Sequence, residues 1–338
     1  MCIISAVSFA SEEPIKLTLA DSTAPVGLRG NGVKLFLEEV EKHTNGKVQI
    51  DVYWGESLLK AKEILKGVKE GVVDMGFINP NYYPKQLLVN GSFAIYPRGP
   101  KKFSNVIKLW KRCFEEIPEF NQELQLMNQK TIYINGVLPY AVVSTKPFTS
   151  FEDFRGKRIR SSSRWTLDML EGAGAIPVSV PWGDCYMALQ TGTIEGVITN
   201  IDGEHRTKLD EAAPNIFTIR EMWSSTPMLY TINIDKWNSL PPDIQSQLLE
   251  AGRSASLRFS EIHNAEWGRV VNEQKELGYT IASASPEDIE KWMAMPVIDR
   301  VKEEWSKEAK EKGIENAKQI VDQISKIIDE VIENEKLE

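Results

Sequence analysis

The sequence is poor in the residues from which metal centres and nucleophilic active sites are built. It has three cysteines, Cys2, Cys113 and Cys185, and three histidines, His43, His205 and His263. No histidine stands at metal-ligand spacing from a cysteine or another histidine, so no metal site is read here. Cys113 and Cys185 fall in helical, semi-apolar stretches and read as buried thiols, although an oxidising compartment would permit them to pair. Positive charge is also in deficit: 40 Lys and Arg against 48 Asp and Glu leave a net charge of −8. That argues against a nucleic-acid surface, for which clustered basic residues are the footprint. It does not exclude one cationic pocket. No run approaches the ~18 apolar residues of a membrane span.

Catalytic and cofactor motifs are missing as well. There is no G-x-G-x-x-G after a strand, no P-loop, no H-E-x-x-H and no G-x-S-x-G. Cys185, Asp202 and His205 do not make a thiol triad, because Cys185 lies mid-helix without a turn to expose it. Ser161–Ser163 have no base near them in sequence. Neither an enzyme nor a cofactor is expected.

What is present is an α/β pattern on a chain of 338 residues, 42% hydrophobic and 26% charged, long enough for two domains. Met1–Ala10 is apolar and ends in the small-x-small form Ser8-Phe9-Ala10. It reads as the end of a secretory signal peptide, so the mature chain is expected in the periplasm, exported and soluble. A first βαβαβ unit follows. Ile15, Leu17 and Leu19 alternate as a strand, and Asp21–Gly32 reads as a glycine-containing turn. Val33, Phe36, Leu37 and Val40 mark a helix closed by Asn45-Gly46. Val48–Trp54 alternates again, Leu58–Val68 gives a second helix, and Val72–Ile78 a third strand. Residues 79–100 read as loop and Pro100–Met127 as one helix. Thr131–Gly136 and Tyr140–Thr145 are β-like.

Residues 154–203 repeat the βαβαβ order, with strands at Lys157–Arg160, Ile176–Val180 and Ile194–Asn200. The two units end alike: Gly71 aligns with Gly192, Asp74 with Glu195, Asn79 with Asn200. Any helix–glycine–strand junction could produce this, so the repeat stays open at this point. Thr226–Trp237 reads as a strand. A proline-started helix, uninterrupted to Leu277, spans ~50 Å, enough to run along both units. Asn316–Ile332 is a last amphipathic helix.

Ligands of open α/β sheets sit beyond the carboxyl ends of the strands. Arg160 falls at such an end, ahead of three serines and a helix start, and a guanidinium suits a carboxylate. The ordinary alternative is a surface salt bridge. Arg164 sits in a first helical turn, where acids are usually preferred. Ser163, Thr199, Asn200, Asn79, Tyr82, Tyr140 and Trp182 fall at strand ends or in adjoining loops, and Thr23 follows the first strand. These ten are the expected ligand-binding residues: an anion anchor, aromatic walls and a few placed polar groups.

The run G-K-R-I-R, followed by G-A-I-P-V-S-V-P-W-G-D-C-Y-M-A-L-Q-T-G-T-I-E-G-V, resembles the signature of the solute-binding subunits of tripartite ATP-independent periplasmic (TRAP) transporters, the DctP family. The resemblance extends through Leu65–Phe77, Asn233–Gln245 and the long helix, covering nearly the whole mature chain. It implies a class II-like periplasmic binding protein fold. Each of the two lobes would be a mixed β-sheet flanked by helices, joined by hinge strands and a long shared helix. Residues 11–137 with 226–265 would form lobe I, and 138–225 with 266–338 lobe II. A monomer is expected, and the resemblance further implies a receptor for a small organic acid, whose carboxylate pairs with Arg160, and delivery to TRAP permease membrane subunits. A periplasmic sensor passing its bound state to a signalling receptor is the alternative. Departures bear on the ligand. Asp184 and Trp182 replace the commoner Glu and Phe, Tyr140 stands where some relatives carry a second arginine, Thr199 replaces an Asn, and Asn79 an acid. A monocarboxylate with an aromatic or hydroxyl part fits this set, while Arg164 as a second cation would reopen a dicarboxylate.

Overall fold

The computed structural model describes residues 13–137, 140–180, 182–222 and 226–338; the side chain of Tyr140, like the leader segment Met1–Ala10, lies outside the described residues. The elements in chain order are β1 (Ile15–Ala20), α1 (Gly27–Thr44), β2 (Val48–Tyr53), α2 (Ile64–Lys69), β3 (Met75–Ile78), α3 (Phe103–Glu116), α4 (Glu119–Leu126) and β4 (Gln129–Asn135). There follow β5 (Tyr140–Ser144), β6 (Arg158–Arg160), α5 (Arg164–Gly172), β7 (Ile176–Val178), α6 (Cys185–Gln190), β8 (Gly196–Asn200), α7 (Ile201–Arg206), α8 (Leu209–Ala212) and β9 (Asn215–Thr218). The chain closes with β10 (Met228–Asn233), α9 (Ile234–Ser239), α10 (Pro242–Glu276), β11 (Thr280–Ser283), α11 (Pro286–Met293), α12 (Val297–Glu311) and α13 (Ala317–Leu337).

Two mixed sheets result, ordered β2-β1-β3-β10-β4 and β11-β9-β5-β8-β6-β7. In each, three parallel strands come from one βαβαβ unit, β2-β1-β3 in the first and β7-β6-β8 in the second. An antiparallel strand then borders the third, β10 on β3 and β5 on β8. The junction residues are equivalent in detail. Gly71 and Gly192 both adopt φ +71°, a region open to glycine at little cost. A carboxylate oxygen of Asp74 accepts from the Thr18 amide on β1 at 2.8 Å, and one of Glu195 from the Arg158 amide on β6 at 3.2 Å. Their carbonyls accept from Asn233 and Thr145, at the ends of the antiparallel neighbours. The repeat that the sequence left open is therefore structural.

The chain crosses between sheets from β4 to β5, from β9 to β10, and along α10. Proline at its first position starts α10, and its 35 residues span about 52 Å. It packs on β4 and α1 near its start and on α7 farther along. Phe36 of α1 stacks on Tyr133 with ring centroids 4.9 Å apart, and Leu248, Ala251 and Ala255 of α10 share that core. Burying each such large side chain contributes roughly 1.5–3 kcal/mol. Cys113 in α3 and Cys185 in α6 are both buried, with no disulfide between them.

Several elements differ from the sequence expectation. The stretch read as one helix from Pro100 to Met127 is two, α3 and α4. Pro118 cannot continue a helix, and Ile117 before it is extended at φ −120°, ψ 98°. The second helix of the first unit is shorter than expected, starting at Ile64. The strand expected over Thr226–Trp237 is β10 followed by α9, capped by the Asn233 side chain. Residues 79–100 lack long elements yet are largely buried, because Glu123 accepts from the Val89 and Asn90 amides at 2.9 Å each. The turn expected over Asp21–Gly32 is already helix from Gly27. Its glycines serve close approach: a Cβ on Gly32 would meet the Phe259 ring of α10 at 2.7 Å.

Candidate functional site

Arg160 ends β6, a central strand paired with β7 and β8. It is only 6% exposed. Its Nε donates to the Val180 carbonyl at 2.9 Å, and its guanidinium carbon lies 5.7 Å from the Trp182 ring centroid. Among the described residues no carboxylate pairs with it and no acceptor holds its two terminal nitrogens. Arg158, on the same strand, shows the ordinary alternative: it donates to the Thr193 and Gly192 carbonyls and lies 3.6 Å from Glu195. The surface ion pair is thus realised at Arg158 and absent at Arg160. A buried guanidinium without a counter-charge is costly and is stabilised by an incoming anion.

The segment after Arg160 supplies further donors. Ser161 and Ser163 are buried, and Ser163 stands at the N-cap of α5 without making a side-chain cap. No acid occupies the first turn of α5, so its dipole is left for an anion. Thr199 Oγ1 donates to Asn200 Oδ1 at 3.3 Å, and Asn200 Nδ2 donates to Asp202 Oδ1 at 2.5 Å. Asn200 is thereby folded onto the start of α7. Burial pushes Asp202 above the usual carboxylate range, against the hydrogen bond from Asn200. Tyr140 is opposite Asn200 in the β5–β8 ladder.

The other sheet faces this edge with its own strand ends. Asn79 Oδ1 accepts from the Asn81 amide at 3.1 Å and starts the turn that carries Tyr82. Thr23 donates from its amide to Asp21 Oδ1 at 2.8 Å, and its hydroxyl bonds the same oxygen. A cavity of about 190 Å³ lies between the Pro80–Gly91 segment and the start of α5, lined by Asn81, Ser163, Arg164 and Ser179 among others. Arg160 does not line it.

Arg164, which lines this cavity, also has a partner on another element. It pairs with Glu308 of α12 and stacks on Trp165, its guanidinium carbon 4.0 Å from the ring centroid. Sequence reasoning missed Arg29, because it lay inside the stretch read as a turn. In the structure it stands at the start of α1, over the Phe77 ring at 3.9 Å. A helical register carried back through the glycines would have found it.

Two α/β units, one of them ending a strand in a buried arginine with no acid partner among the described residues, make up a two-lobed fold. The chain belongs to the bacterial extracellular solute-binding protein family 7, DctP, whose family model matches residues 19–312. This is a family of substrate-binding receptors, not of enzymes, and it is periplasmic. No helix among the described residues is long and apolar enough to cross a membrane. The chain is 25% identical to the C4-dicarboxylate-binding periplasmic protein DctP of Rhodobacter capsulatus over 276 residues, 80% of each chain. It is 26% identical over 226 residues to the ectoine-binding periplasmic protein TeaA of Halomonas elongata, covering 66% of this chain and 63% of that one. A TRAP periplasmic solute-binding protein from Desulfovibrio salexigens with bound orotic acid shares the fold at TM-score 0.80 and 17% identity, covering 93% of this chain and 99% of that one.

Proposed function

We propose that this protein binds a small organic acid between its two lobes and delivers it to TRAP permease membrane subunits. The observation that carries this reading is Arg160, buried and held through Nε, with no carboxylate partner among the described residues. A carboxylate would take its terminal nitrogens in a bidentate pair. The α5 start with Ser163, the Thr199–Asn200 pair and the Trp182 ring would line that end. Asn79, Tyr82 and Thr23 would close from the other lobe, and Tyr140 from the crossing strand. The lobes would divide at residues 137/138 and 225/226, with α10 passing from one to the other near residue 265. Curated relatives support an acid of this class, since their names give a C4-dicarboxylate and 2,3-diketo-L-gulonate as what those proteins bind. The test is calorimetric titration with mono- and dicarboxylates after a thermal-shift screen. The Arg160→Ala variant is expected to lose roughly 2–5 kcal/mol of binding free energy. Unchanged affinity would refute the anchor.

A further inference from the structure

We propose that Lys101, Arg220 and Glu221, stapled by Glu335 of α13, form a hinge lock. This contact lies outside the cleft, holds the two sheets at their present angle, and must part for that angle to change.

A two-lobed protein bends where the chain crosses from one lobe to the other. Arg220 and Glu221 stand at such a place, between the end of β9 in one sheet and the start of β10 in the other. Both reach Lys101, just ahead of α3, and α3 lies between β3 and β4 of the first sheet. Arg220 Nη2 donates to the Lys101 carbonyl at 3.0 Å, and the Lys101 ammonium pairs with Glu221. The segment is held from its other side by α13. Glu335 Oε2 accepts from the Lys101 amide at 2.8 Å, and Oε1 accepts from the Lys102 amide at 2.7 Å. Oε1 also accepts from Nδ2 of the buried Asn105 at 3.0 Å. No acid stands in the first turn of α3, so Glu335 brings the negative charge that this helix end favours. Lys101 is thereby fixed at its amide, its carbonyl and its ammonium at once.

The long helix joins the same junction. Arg220 lies over Trp267 of α10, its guanidinium carbon 4.7 Å from the ring centroid, and its Nε is buried without a hydrogen-bond partner. Burial depresses the pKa of this guanidinium, and the charge of Glu335 opposes that shift. Glu335 therefore supports the crossing as well as α3. The sheet orders set the junction apart from the anchor. In the second sheet, β5 and β8 stand between β9 and β6, the strand that carries Arg160. A substitution at the lock changes the bend and leaves Arg160, Thr199 and Asn200 as they are.

The test uses the full chain without ligand, spin-labelled for distance measurement by electron paramagnetic resonance. Cys113 and Cys185 are buried, and Cys2→Ser removes the remaining thiol. One label pair, Lys66→Cys on α2 with Met187→Cys on α6, spans the two sheets from exposed positions. A second pair, Lys34→Cys on α1 with Lys66→Cys, stays beside the first sheet. Arg220→Met and Glu335→Ala are each expected to widen the cross-sheet distance distribution by about 2 Å or more, the scale of a domain rearrangement. The pair beside the first sheet should keep its width. The double variant should be no wider than the wider single, because both changes open one lock. Glu221→Gln, which removes only the ion pair, carries the same expectation and serves if Arg220→Met does not fold. An unchanged cross-sheet distribution, equal widening of both label pairs, or a double variant that widens by the sum of the singles would overturn the proposal.

Discussion

Arg160 donates its Nε to the carbonyl oxygen of Val180 at 2.9 Å, across the ladder between β6 and the strand end of β7. This one bond fixes the guanidinium without consuming its two terminal nitrogens. A cation held so, 6% exposed and without an acid partner among the described residues, opposes stability in the unliganded protein.

Arg160→Met should therefore separate binding from folding. The unliganded variant is expected to melt at the same temperature as the parent or higher, since apolar replacement of buried charges is often neutral or stabilising by about 1–4 kcal/mol. Carboxylate titration should fail in the same preparation. A large fall in melting temperature, read by circular dichroism, would assign Arg160 a structural role instead.

Arg164→Ala should do the reverse of what its place in the sequence suggested. Its side chain is 48% exposed and pairs with Glu308. Loss of such a pair costs about 0–1 kcal/mol. Carboxylate affinity is expected to stay at the parent value in calorimetry, and a tenfold loss would return Arg164 to the site.

Gly252→Ala tests the seam between α10 and β4. In an open helix this change stabilises by about 1 kcal/mol. Here the new Cβ would lie 1.9 Å from the Ile132 carbonyl oxygen, so α10 must move off the sheet. Overpacking of this kind costs typically about 1–3 kcal/mol. The chemical-denaturation midpoint is expected to fall; a rise would mean that α10 shifts freely.

Glu204 gives a pH signature. It is fully buried in α7, accepts from Gln274 at 2.6 Å, and faces Asp210, itself bonded to His205 and Gln274. Burial, then the charge of Asp210, holds its carboxyl well above the usual 4.5. A raised carboxyl contributes its full stability below the unfolded value and loses it as pH rises toward the folded one. Glu204→Gln keeps the acceptor and removes the titration. The variant should match the parent near pH 4.5 and exceed it in melting temperature increasingly at higher pH. A constant difference across pH would reject the assignment.

Much of this protein was legible in the chain. Alternation at Ile15–Leu19 and Val48–Trp54, the uninterrupted helix after Pro242, and the Gly-acid-strand junctions at Gly71 and Gly192 are local signals. Period, proline and glycine act within a few residues, so they can be read without neighbours. The place of Arg160 in the fold was legible too, because a strand end and a following helix start are sequence features.

Tertiary structure decided the rest. Whether an arginine is paired depends on residues distant in sequence, and only the fold sends Arg164 to Glu308, 144 positions away, while leaving Arg160 without an acid among the described residues. It also turned Gly32 from a turn residue into the close seam of a helix, because Phe259 packs where a side chain would stand. Local propensity fixed where strands and helices lie; long-range packing fixed which charges remain free to meet a ligand.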